Sequence, residues 1–267
     1  MHITLTGNLG SGKSTICKIL KGSYGYEIFS TGTIQRKIAD DMGLTTLELN
    51  QLMCTDKKYD NLIDDTTTRI AKENPDKSLI FDSRLAWHFV EESFKVFLSV
   101  SLEVAAERVF HDNRGSVESY QSQEDAMEQL RRRAQTEDRR YQELYGLDYF
   151  NFNNYNLILD STYSAPELLT QVMLEEEKAY EALAAKERAA GKPKILVSPK
   201  RLGIGELTKE DRAGLAGLLS EAAPSGKYPK AVVGIRRDGQ TFRLVKGEDI
   251  VKLAVRDGLP FVQCEIV

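Results

Sequence analysis

Gly7-Asn8-Leu9-Gly10-Ser11-Gly12-Lys13-Ser14-Thr15 follows a short apolar alternation at residues 2–6 and precedes a helical pattern. Its pattern, Gly-x4-Gly-Lys-Ser/Thr, needs glycines so that successive backbone N–H groups can close around phosphate oxygens. Lys13 then reaches the β and γ phosphates, and Ser14 places its hydroxyl on Mg2+. The helix that follows turns its positive end toward the same anion. Gly7, Asn8, Leu9, Gly10, Ser11, Gly12, Lys13, Ser14 and Thr15 are therefore expected to hold a nucleoside triphosphate. The open question is what receives the phosphate.

Outward from this loop, strands and helices alternate. Strands are expected at residues 2–6, 26–29, 78–81, 95–100 and 155–159, and helices at 13–21, from the turn 30–33 to 42, 44–54, 56–73, 102–112 and 123–144. A turn is expected at 113–115. This alternation implies a parallel sheet covered on both faces, an α/β fold of the phosphate-loop NTPase kind, with the charged helix 123–144 as a lid. Ser164 and Glu167 are spaced as a capping box, opening a helix that runs to residue 190 and loses its apolar stripe after residue 174. It reads as a solvated connector, which divides the chain into a nucleotide-binding domain at 1–180, a linker at 181–194 and a small α+β domain at 195–267. Within the last, strands are expected at 195–197, 231–235, 241–245 and 261–267, and helices at 209–220 and 248–256.

The chain has 267 residues and is 41% hydrophobic, enough to build a core in two domains. No window approaches the roughly 18 apolar residues of a membrane span, and the first residues enter a strand without an apolar leader. A cytoplasmic protein with no membrane partner is expected. The three cysteines, Cys17, Cys54 and Cys264, are scattered, with no metal-ligand spacing. A net charge of −4 disfavours nucleic acid as a partner and leaves small-molecule nucleotides. The number of subunits stays open.

Ligands of such a sheet lie at the carboxyl ends of its strands, so polar residues just after strands are the first candidates. Thr31 and Arg36 follow the second strand and can hold an acceptor and its phosphate; the plainer reading is a capped amphipathic helix. Asp82-Ser83-Arg84 follows the third, where the carboxylate can hold Mg2+ through water and Arg84 an anionic substrate; a strand-end salt bridge is the alternative. Arg133, Glu137 and Arg140 are spaced i, i+4, i+7 and share one helical face. Two guanidiniums and a carboxylate there suit phosphoryl transfer, whose transition state spreads charge over the equatorial oxygens, although such a run can also be a solvated face.

In order and spacing these pieces, with residues 82–87, 145–148 and 160–162, resemble the cytidylate kinases of the nucleoside monophosphate kinase group in their short archaeal-like form, from residue 1 to about 178. The resemblance implies that residues 7–15 bind ATP with Mg2+ and that Ser14 and Asp82 serve the metal. It implies that Arg36 and Arg84, beside Thr31 and Ser83, hold the acceptor phosphate, and that Lys13, Arg133 and Arg140 act on the moving phosphoryl, with Glu137 orienting the arginines. Residues 160–162 would lie near the adenine end, and Arg114 would border the lid. The implied reaction carries the γ-phosphate of ATP to CMP or dCMP. Family members commonly carry Asp where Thr33 stands here. Residues 195–267 resemble the ParB/sulfiredoxin fold, with Glu248 and Asp249 where that superfamily places phosphate-holding residues. The competing readings are a kinase for another small acceptor, and a nucleotide-dependent regulatory or partition-type protein that uses the loop as a sensor.

Overall fold

A computed structural model of the chain describes residues 1–56, 58–112, 120–204, 207–214, 227–229 and 231–267. Short runs rich in Ile, Leu, Val and Phe form the strands β1 (His2–Gly7), β2 (Glu27–Ser30), β3 (Leu79–Asp82), β4 (Ser93–Ser99), β5 (Leu157–Asp160), β6 (Lys194–Val197), β7 (Val232–Asp238), β8 (Thr241–Lys246) and β9 (Val262–Ile266). Among the described residues they make one sheet in the order β2-β3-β1-β4-β5-β6-β9-β7-β8. From β2 to β6 every pairing is parallel, whereas β9 runs antiparallel to β6 and carries β7 beside it in parallel and β8 beyond that. Every residue of β1 is buried, because a strand flanked by β3 and β4 and covered on both faces meets no water.

The helices in chain order are α1 (Lys13–Tyr24), α2 (Thr31–Asp41), α3 (Thr46–Met53), α4 (Lys58–Glu73), α5 (Ala86–Phe89), α6 (Leu102–His111), α7 (Gln123–Tyr145), α8 (Pro166–Glu181), α9 (Ala185–Ala190), α10 (Lys209–Gly214) and α11 (Glu248–Arg256). None among the described residues is long and apolar enough to cross a membrane. The mostly parallel sheet with flanking helices is the expected α/β fold. The turn at 113–115, with Arg114, and the second half of the helix expected at 209–220 lie outside the described residues.

The division at 181–194 does not part the sheet. Strand β6 pairs with β5 (Leu157↔Lys194, Leu159↔Leu196), so residues 194–267 continue the sheet of residues 1–160. Both cores cross the same line. One packs Ile3, Leu5, Leu157 and Leu159 with Leu196 and Phe261. The other packs Phe97, Tyr155 and Ile158 with Val197, Val233, Ile235, Phe242 and Val262.

The expected connector also differs. Its first helix is capped at Ala165 with Pro166 behind it, and Ser164 makes no capping bond. This helix stops at Glu181, and α9 is a separate short helix. The polar stretch is solvated only in part: Glu175, Lys178, Ala179 and residues 181–187 are exposed. Glu177 is buried, Glu176 pairs with Lys194 at 2.5 Å and accepts the Tyr228 hydroxyl, and Glu175 pairs with Lys227 at 2.6 Å. Charge, rather than an apolar stripe, docks the end of α8 onto the later segment.

Candidate active site

The phosphate loop is shaped by what it packs against. A Cβ on Gly7 would lie 2.3 Å from the Leu98 carbonyl oxygen of β4, so no side chain fits there. Gly12 has φ 89° with open space beyond it and forms the left-handed cap from which α1 starts. Asn8 turns inward, its side-chain oxygen accepting the Val100 N–H at 3.2 Å, and pins the loop to the end of β4. Beyond the loop lies a cleft of about 330 Å3, lined on this side by Leu9, Gly10, Ser11, Gly12, Lys13, Ser14 and Thr15. Gly7 and Asn8 brace the loop from behind.

Lys13 donates to the carbonyl oxygens of Gly7 at 3.3 Å and Asn8 at 3.1 Å. Burial, then the Arg84 guanidinium, push its amine down to about 7, against the opposing pull of Asp82. In the free protein it is therefore mostly neutral above that pH. A triphosphate favours the ammonium and raises the pKa again. ATP binding at about pH 8 should take up close to one proton, and at about pH 5.5 almost none. Calorimetry in buffers of different ionisation enthalpy measures this, and a proton count independent of pH would contradict it.

The other wall comes from the ends of β2 and β3. Ser30 caps α2 and donates to the Asp82 carboxylate at 3.0 Å, and the Thr31 hydroxyl donates to the Asp82 carbonyl at 3.4 Å. These bonds hold the start of α2 against the end of β3. Arg36 donates to the Thr33 hydroxyl at 3.3 Å, and Thr31, Arg36, Asp82, Ser83 and Arg84 all line the cleft. The Thr33 hydroxyl also lies 3.2 Å from the Ser30 hydroxyl.

Glu137 ties α7 to this second wall. Its two carboxylate oxygens each accept a guanidinium Nε at 2.9 Å, one from Arg84 and one from Arg133. Burial alone would raise its pKa, but Arg84 and then Arg133 hold it down at about 2. A carboxylate with 2% exposure between two arginines keeps both charges in place, and Arg133, like Arg84, lines the cleft.

Arg140 does not join them. It is 1% exposed, donates to the Asn50 side-chain oxygen at 2.8 Å and to the Tyr141 hydroxyl at 3.1 Å, and lies 3.5 Å from the Asp60 carboxylate. In this arrangement it ties α7 to α3 and α4 and lies outside the lining of the cleft. Seven residues along a helix are about 10 Å of rise, so a shared face does not bring Arg140 to the same place as Arg133.

Sequence reasoning missed Arg108. From α6 it lines the cleft, donating to the carbonyl oxygens of Gly10 at 3.4 Å, Ser161 at 2.7 Å and Thr162 at 3.3 Å. Its only signal was a basic residue in the last turn of a helix that follows a central strand.

The donor set suits Mg2+ in a nucleotide complex. Ser14 and Asp82 supply two hard oxygens in the same cleft, and this ion keeps waters and phosphate oxygens as its other ligands. The described residues hold no cluster of three or more potential His, Cys, Asp or Glu metal ligands.

A family model, the cytidylate kinase-like family, matches residues 2–163. The chain is 36% identical over 182 residues to a cytidylate kinase of Natronomonas pharaonis, covering 67% of this chain and 91% of that one. A cytidylate kinase of Methanothrix thermoacetophila is 35% identical over 161 residues, 60% of this chain and 88% of the relative. Among solved structures, an uncharacterized protein from Eubacterium ventriosum superposes with a TM-score of 0.50 at 13% identity, over 67% of this chain and 98% of that one. The family model ends before residues 195–267 begin.

Proposed function

Because the chain belongs to the cytidylate kinase-like family, we propose that it transfers the γ-phosphate of ATP to a nucleoside monophosphate, with CMP or dCMP as the acceptor. The observation that carries this reading is the shared cleft. The phosphate loop forms one wall, the residues after β2 and β3 the other, and Arg84 and Arg133 meet there on one buried carboxylate.

Phosphoryl transfer asks little covalent chemistry of the protein, so the residues act by position and charge. The loop N–H groups and Lys13 hold the β and γ phosphates. Arg36 and Arg84 hold the acceptor phosphate, aligning its oxygen with the γ-phosphorus. Arg133 brings positive charge to the equatorial oxygens as the phosphoryl group moves, and α7 helps to exclude water. Ser14 and Asp82 would hold Mg2+, which when bound offsets charge on the triphosphate.

ATP consumption measured across all nucleoside monophosphates tests the reading. CMP or dCMP should give the highest kcat/KM. Tight ATP binding without turnover on any acceptor would favour the sensor reading instead.

A contrast within α7 separates roles. Arg133→Ala should lower kcat by roughly 10²-fold or more, as loss of one transition-state charge donor does. Arg140→Ala should instead destabilise the fold by on the order of 3 kcal/mol, because the Asp60 carboxylate is left buried without its partner. Steady-state kinetics and thermal melts of the two variants distinguish them. A large kcat loss in a stably folded Arg140→Ala protein would return Arg140 to the chemistry.

A further inference from the structure

The segment after β6 reaches the edge of the nucleotide cleft at one buried carboxylate. Asp160, at the carboxyl end of β5, is 1% exposed and accepts four hydrogen bonds. Two come from Thr162, from its N–H at 3.1 Å and its hydroxyl at 2.6 Å. The others come from beyond β6, from the Ser198 N–H at 3.0 Å and the Arg201 guanidinium at 2.7 Å. Arg201 is wedged in place. It donates to the Ser99 hydroxyl at 2.9 Å and to the Gln240 carbonyl in the β7–β8 turn, and lies 4.3 Å from the centre of the Phe242 ring. The Gln240 amide in turn donates to the Val100 carbonyl at 3.0 Å, at the end of β4.

The same carboxylate faces the cleft through Thr162. The Thr162 hydroxyl accepts the Ser101 N–H at 3.1 Å, at the cap of α6, and the Ser161 and Thr162 carbonyls hold Arg108. Acceptor-binding residues occupy the β2 and β3 side of the sheet. A donor whose phosphates lie on the loop after β1 therefore extends its base toward β4 and β5, where Arg108 and Asp112 line the cleft.

We propose that Arg201 is a positioning residue for the donor nucleotide: through Asp160 it fixes the turn at 160–162, and with it Arg108, so that the segment after β6 sets the affinity and base selectivity of the ATP site. The inference rests on the reading that this cleft binds ATP. The family model's match ends at residue 163, so Arg201 and Gln240 lie beyond the family's matched region.

Full-length Arg201→Met, Arg201→Lys and Gln240→Ala proteins test it, by calorimetric titration with ATP and GTP and by steady-state kinetics with CMP as acceptor. Arg201→Met should raise the ATP Kd and KM by roughly tenfold, as loss of a charge-assisted bond does. The CMP KM should change less than about threefold, and preference for ATP over GTP should narrow. Arg201→Lys should recover part of the loss. Gln240→Ala, a change at a partly exposed turn, should shift the ATP KM in the same direction by a smaller factor, and it carries the test if Arg201→Met does not fold. Folded variants with wild-type ATP binding, or with both KM values moving together, would overturn the proposal. Absence of ATP binding by the wild-type protein would instead overturn the kinase reading beneath it.

Discussion

Lys13→Met is expected to lower kcat by roughly 10²–10³-fold or more, while the protein folds as the wild type does. The ammonium is the cation of the phosphate loop itself, and a thioether of similar length keeps the packing without the charge. Stability should not suffer, because the native site disfavours the ammonium. The folded pKa is near 7 and the unfolded value near 10.5, so between these the unfolded chain binds a proton that the folded one lacks. Wild-type stability therefore rises with pH through that window, and below about pH 7 the protein carries the full cost of a charged, partly desolvated amine. The methionine variant loses this dependence and should be at least as stable as wild type at about pH 6. Kinetics with ATP and CMP, with melts at pH 6 and 9, measure both effects. Undiminished turnover would mean that the donor phosphates are held elsewhere.

Cutting the chain after Lys192 should abolish cooperative folding. The cut removes Leu196 and Phe261 from one core and Val197, Val233, Ile235, Phe242 and Val262 from the other. Phe97, Phe152, Tyr155, Ile158, Leu157 and Leu159 are now at most 4% exposed and would lose part of their cover. Burying such a side chain contributes about 1.5–3 kcal/mol. Half of that lost from these side chains is about 4–9 kcal/mol, comparable with the whole stability of an ordinary domain. The cut also leaves β5 as an open edge, which invites aggregation. Circular dichroism and gel filtration of residues 1–192 are the measurement. A soluble fragment with a sharp melt and kinase activity would restore the separate second domain.

What the sequence made legible follows the reach of each signal. The phosphate loop is local, with glycines and a lysine at fixed spacing, and the structure places it as read. The second wall of the cleft was legible because polar residues directly follow apolar strands. Helical spacing put Arg133 and Glu137 together, but the bond from Glu137 to Arg84, which is 53 positions away, has no local signature. The same spacing puts Arg140 on that face too, but a helical face says nothing about distance along the axis or about Asn50 and Asp60 beside it. The expected boundary arose because α8 loses its apolar stripe. Glu175 and Glu176 dock on Lys227, Lys194 and Tyr228, and ion pairs leave no periodicity to read. Arg108 and Arg201 were hidden in the same way, each an ordinary basic residue until the fold brings the turn at 160–162 between them.

The place of β9 imposes an order of assembly during synthesis. Strands β7 and β8 can zip into a hairpin as soon as they leave the ribosome, yet among the described residues that hairpin joins the rest of the sheet through β9, which lies between β6 and β7. Residues 262–266 are translated after the other described strands, and their pairing with residues 195–197 closes a loop of more than sixty residues. Such long-range closure is slow relative to hairpin formation. A nascent chain thus carries an undocked hairpin, with β6 exposed as an edge. Arg201 meets the Gln240 carbonyl only once that last strand has slotted in.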